Sequence, residues 1–259
     1  MLVLAVLSGL ATGVALGLVG GGGSVLALPA FVYGLGLPVS QAVPASLLVV
    51  ALSSAAALLP RLRRGEVRWR VAAVFGAAGT IVAFAGAAVN RALPPRLVLG
   101  AFAVVLVVVG VRMLRSPEPR GGACAMVDGA VNWRSCLPKA LATGAGAGFL
   151  TGLLGVGGGF VVVPALVWLL GLTMPVAVAT SLVILVINSL AGLAAHAGQV
   201  RLDLAVAGTF AVAALIASLL AGRFAGRLPA AALRRGFAVL VFGVAALVGT
   251  QTALNAAPV

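Results

Sequence analysis

The chain has 259 residues, of which 63% are hydrophobic and 8% charged, with a mean hydropathy of +1.24. A soluble domain carries about 25% charged residues, so this composition excludes a water-soluble globular protein and calls for a multi-pass protein of the plasma membrane. The formal net charge of +13 would suggest nucleic acid in a soluble protein. Here the Arg residues cluster between apolar runs, where they report orientation in the bilayer, and nucleic acid is excluded as a partner.

The first apolar run, Leu2–Val19, approaches the length of about 20 residues that a crossing needs. No basic stretch precedes it, which argues against a cleaved signal peptide. It runs into Gly17-Leu18-Val19-Gly20-Gly21-Gly22-Gly23-Ser24. Glycine weakens a helix by about 1 kcal/mol per residue relative to alanine. At bilayer depth the freed backbone groups must also be satisfied within the protein or in a water-filled cavity. After this break Val25–Leu37 is a shorter apolar segment, 38–41 forms a turn, and Val43–Leu59 is the next helix. A basic loop, 61–70, follows with Trp69 at an interface. Two further spans, Val71–Val89 and Leu97–Val111, are joined by 90–96. The linker from Arg112 to about Lys139 is hydrophilic and holds Cys124 and Cys136. Their spacing, without a CxxC or a histidine cluster, makes a poor metal site, and the two are read as free thiols in a loop. No metal and no cofactor is expected.

The second half repeats the first. Shifted by 135 residues, Gly17–Leu48 overlies Gly152–Val183 without a gap and with 15 identities in 32 positions, the signature of a duplicated unit. Gly20, Gly22 and Gly23 fall on Gly155, Gly157 and Gly158, Pro29 on Pro164, and Ser46 on Ser181. The expected fold is therefore an all-α polytopic membrane protein. It consists of two homologous transmembrane repeats, 1–115 and 138–259, each with a glycine-broken helix, joined by a hydrophilic linker at 116–137. If each repeat crosses an odd number of times, loops 61–70, 112–139 and 223–235 share one side with 14 Lys/Arg, against 3 on the other. An even number gives 11 against 6. The positive-inside rule prefers the larger asymmetry, so the repeats are expected to be inverted, with the basic loops cytoplasmic and both termini outside.

Glycine breaks leave backbone amides free at the start of a following half-helix, where the positive helix end attracts anions. Broken helices of repeat transporters meet around the substrate near the midplane. The candidate substrate-binding residues are accordingly Gly20, Gly22, Gly23, Ser24, Gly157, Gly158 and Gly159. Polar groups inside apolar runs join them: Ser46, Thr180, Ser181 and Asn188. Glycines that only allow close helix packing, and hydroxyls that only join helices, are the competing reading. No Asp or Glu lies within an apolar run, so a buried carboxylate relay is unavailable, and there is no Walker A sequence. His196, at a helix end, is a candidate gate or proton carrier.

The run Gly155-Val156-Gly157-Gly158-Gly159 with Pro164, the stretch Ala177-Val178-Ala179-Thr180-Ser181-Leu182 and the element His196-Ala197-Gly198-Gln199-Val200 resemble the TauE/SafE sulfite-exporter-like permeases. The resemblance covers nearly the whole chain. It implies a non-enzymatic secondary transporter of a small anion, a sulfur-containing oxyanion or organosulfonate, with the bilayer as its other partner. The first repeat departs from the pattern, with Ser24 at a glycine position and Arg61 opposite His196. An anion channel on the same repeat, or an intramembrane serine hydrolase using Ser24 and His196, are the alternatives. Association with further copies of the chain is left open.

Overall fold

The computed structural model describes residues 2–37, 39–115, 124, 126–127, 130–131, 133–154, 159–195, 204–225 and 227–254. Its framework is helical throughout. The first repeat contributes α1 (Leu2–Val19), α2 (Ser24–Pro29), α3 (Val39–Leu62), α4 (Trp69–Ala92) and α5 (Pro95–Arg115). The second contributes α6 (Trp133–Leu154), α7 (Gly159–Trp168), α8 (Met174–Ala195), α9 (Leu204–Ala225) and α10 (Ala230–Leu254). A two-residue hairpin, β1 (Met126–Val127) and β2 (Ala130–Val131), lies in the linker. Among the described residues, six helices are long and apolar enough to cross a membrane. Large apolar side chains such as Leu7, Ile81, Phe84, Val104, Val212 and Val239 remain exposed on the outer surface, as lipid contact requires.

Helix ends extend beyond the sequence expectation. Val39 and Gln41 already belong to α3 rather than to a turn, and α4 and α5 are each longer at both ends than the apolar runs that mark them. Polar and basic end residues finish a helix while reaching the interface, so hydropathy alone undercounts them. The larger correction concerns the linker. Cys124 and Cys136 are disulfide-bonded, with their Cα atoms 4.7 Å apart, rather than free thiols. Both are fully buried, and the Cys124 amide donates to the Leu170 carbonyl at 3.0 Å, which ties the linker to the end of α7.

Two helix pairs carry the packing, and the duplication relates one to the other. On α1, Gly9, Gly13 and Gly17 lie in turn against Phe210, Ala214 and Ser218 of α9, so these helices run in the same direction. On α6, Gly144, Gly148 and Gly152 lie in turn against Phe75, Gly79 and Ala83 of α4, again in the same direction. The three glycines of α1 and the three of α6 are 135 residues apart, four apart within each set. Spacing of four puts them on one helix face. Without side chains there, backbones come close enough for dispersion to hold helices in lipid. A side chain at Gly13, Gly148 or Gly152 would meet backbone of the partner helix.

After α1 the chain reverses. A 3-10 turn over Gly20–Gly23 leads into α2, and a π-helical segment, Ala30–Gly34, follows directly on Pro29. Gly23 sits against Ala15 and Leu16, and Gly34 reaches toward the Ser8 hydroxyl, so this arm runs back alongside α1. Gly36 and Gly171, which are repeat equivalents, end the two short arms with left-handed φ values of 67° and 73°. Between the halves, α3 and α8 run antiparallel, with Leu47 against Gly192 and Ala57 in one cluster with Leu182.

Candidate functional site

The first glycine break meets the start of the second short arm. Gly20 takes the left-handed conformation, φ 68°, that L side chains rarely adopt, and a Cβ there would lie 2.8 Å from Val178 Cγ1 and 3.0 Å from Ser181 Oγ. The neighbouring Gly21 faces Gly159, the first residue of α7, backbone to backbone. A Cβ on either residue would run into the carbonyl oxygen of the other. Ser24, 3% exposed, donates its hydroxyl to the Gly21 carbonyl at 2.7 Å, and this hydroxyl also borders Gly159. Ser24 and Gly159 are repeat equivalents, so each half brings the same position to the same point.

Ser181 completes this centre. It is 0% exposed, its Oγ donates to Val178 O at 2.8 Å, and the Oγ accepts the Gly21 amide at 3.3 Å. A hydroxyl of the second repeat therefore satisfies a backbone donor freed by the break of the first, which the bilayer interior demands. Ser46 makes the matching bond within its own repeat, to Val43 O at 2.8 Å.

Of the residues singled out from the sequence, Gly20, Ser24, Gly159 and Ser181 meet. Gly22 lies in the same 3-10 turn, and Gly23 closes that turn onto α1. The others sit elsewhere. Thr180 accepts the Arg68 amide at 3.2 Å and so anchors the loop before α4. Asn188 Oδ1 accepts the Thr80 hydroxyl at 2.8 Å, a bond between α8 and α4. Gly157, Gly158 and His196 lie outside the described residues. Gly21, central to the contact, was not among the sequence candidates, because its repeat equivalent is Val156. The signal that could have found it is its position between two glycines that do match.

A polytopic helical chain whose first glycine break packs on the start of α7 and is bonded by a buried serine of α8 has the architecture of a membrane transporter, and its relatives agree. The chain belongs to the sulfite exporter TauE/SafE family, whose model matches residues 5–248. It is 33% identical over 255 residues to a probable membrane transporter protein of Xylella fastidiosa strain Temecula1, covering 94% of this chain and 93% of that protein. It is 32% identical over 252 residues to a probable membrane transporter protein of strain 9a5c, with the same coverage. No solved structure matches.

Proposed function

We propose that this chain is a secondary transporter of a small anion, a sulfur-containing oxyanion or organosulfonate, and not an enzyme. Two inverted repeats would present their glycine breaks to the substrate at the bilayer midplane. The observation that carries this reading is the meeting of Gly21, Gly159 and Ser181. It is a centre of backbone amide and hydroxyl groups without an acidic side chain, formed by both repeats. The family's name, sulfite exporter, supplies the substrate class. Inversion is supported by the packing directions. The helices that bear on it are the repeat equivalents α3 and α8, which pack antiparallel with Leu47 against Gly192 and Ala57 clustered with Leu182, as inverted halves would.

Backbone contact between Gly21 and Gly159 leaves no open conduit at that point, which supports a carrier over a channel. The hydrolase alternative asks Ser24 to be a nucleophile, but its hydroxyl is committed to the Gly21 carbonyl at 2.7 Å. Proteoliposomes holding the purified chain, offered labelled sulfite, thiosulfate, sulfonates and carboxylates, are expected to take up one sulfur anion saturably and to show counterflow. Flux that rises without saturation and without counterflow would point to the channel, and flux only for carboxylates would refute the substrate class.

Ser181→Ala removes the acceptor of the Gly21 amide. A hydroxyl bond is worth about 1 kcal/mol, so the KM for the transported anion is expected to rise about fivefold with little loss of folded protein. Ser46→Ala is expected to act in the same direction. Thr250→Ala, which deletes an exposed hydroxyl bonded within its own helix, is expected to leave KM unchanged. An unchanged KM in both serine variants counts against the site.

A further inference from the structure

Arg61 stands in the last turn of α3 and is 1% exposed. Its Nη2 donates to the carbonyls of Gly17 at 3.2 Å and Leu18 at 3.5 Å, in the last turn of α1 just before the first glycine break. Nη1 meets Glu66 Oε2 at 3.4 Å, and the tight turn through Gly65, φ 66°, brings that carboxylate back to it. Nε is buried without a hydrogen-bond partner. A guanidinium has five N–H donors, and charge-assisted bonds normally close to about 2.7–2.9 Å. Every contact of this one is longer, and two donors are unused, the Nε hydrogen and the second Nη1 hydrogen. Burying an incompletely paired charge is costly.

Capping α1 explains only part of this. A cation at a helix C-terminus is favourable, and Nη2 alone performs that task. The Nε donor and the single long contact from Nη1 to Glu66 are what capping leaves unexplained. An Arg near a membrane-helix end normally snorkels to the interface, whereas Arg61 is turned inward and buried against α1.

The geometry points to Arg61 as an anion-binding residue beside the first glycine break, with Glu66 as the internal competitor that the ligand displaces. The ligand class is a compact oxyanion with two oxygens at the spacing of a guanidinium fork, such as sulfite or thiosulfate. The carbonyls of Gly17 and Leu18 hold the guanidinium in place while Nε and Nη1 take the anion. This deepens the transport reading and rests on it. A phospholipid headgroup presents similar oxygens, but the 1% exposure of Arg61 favours a small diffusible ion.

The test is direct binding, separate from flux. The purified chain in nanodiscs of phosphatidylcholine alone, which carries no net anionic headgroup, is titrated with sulfite and with thiosulfate by calorimetry. Wild type is expected to bind, and Arg61→Gln to lose at least tenfold in affinity. Glu66→Gln is expected to bind several-fold more tightly, because its amide no longer competes. Glu66→Gln also decides the matter if Arg61→Gln fails to fold. A purely structural ion pair makes the opposite forecast for Glu66→Gln, a less stable protein with unchanged or weaker anion affinity, and that result overturns the inference. So does a wild type that binds neither anion. Binding strengthened by Glu66→Gln in a protein that transports neither anion would uphold this site while refuting the transport reading.

Discussion

Gly21→Ala is expected to reduce anion transport by about 10- to 100-fold in proteoliposomes loaded with equal amounts of folded protein. The added methyl has nowhere to go, since the atoms it would meet are the Gly159 carbonyl and Cα rather than a flexible side chain. Overpacking of this kind costs about 1–3 kcal/mol, and each 1.36 kcal/mol is tenfold in rate when it falls on the working step. The strain falls at a contact between two short arms, so the first break is pushed off the start of α7 while the long helix pairs remain seated. Gly148→Ala presses the same methyl into the backbone of Gly79 in the α4/α6 seam, and there the expected loss is in thermal stability and membrane abundance. Gly100→Ala, on a helix face with no neighbour within 4 Å, serves as the reference. Normal transport by Gly21→Ala would remove this contact from the mechanism. A loss of folded protein equal to that of Gly148→Ala would make the contact merely a packing seam.

The contrast between those glycines also shows how far the sequence can be read. The breaks at 20–23 and 155–159 were visible because glycine runs have no business inside an apolar helix, and the 135-residue register paired them. The same register extends to Gly9 and Gly13 against Gly144 and Gly148, and their spacing of four was equally visible. These glycines lie upstream of the breaks inside otherwise ordinary apolar helix, so only their spacing of four marks them as packing residues. The partners of polar groups were harder. Ser181 meets Gly21 across 160 positions and Asn188 meets Thr80 across 108, and no local pattern specifies which hydroxyl bridges to a break and which joins two helices. The Cys124–Cys136 pairing has the same origin, since spacing in a linker does not say whether two sulfurs come together. Arg61 read as the start of a basic loop because three further Arg lie within the next seven residues. Its burial follows from one extra helical turn, which delivers it to the end of α1.

Orientation can be settled by labelling introduced cysteines in intact cells. The structure brings the basic loops together. Arg64 donates to the Arg223 carbonyl at 3.1 Å, and the Arg70 guanidinium lies 5.8 Å from the Trp133 ring centre. Loops 61–70, 112–139 and 223–235 hold 14 of the 17 Lys/Arg, and such an excess marks the cytoplasmic side. Removing the linker still leaves 9 against 3. The disulfide lies in that linker, and stable disulfides belong to oxidising compartments, so the two signals oppose each other. We give charge the greater weight. Fourteen cations cannot be moved across without overriding the rule, whereas the disulfide is buried and so shielded from reductants on either side. Cysteines placed singly as Glu66→Cys and Ala230→Cys, in a background lacking Cys124 and Cys136, are expected to be shielded from an impermeant thiol reagent added to intact cells. Labelling of both introduced cysteines would turn the molecule over, placing the disulfide in the oxidising compartment while leaving the halves inverted. Labelling of only one would instead establish parallel halves, and the shared centre of Gly21, Gly159 and Ser181 would then need a different symmetry from the one proposed.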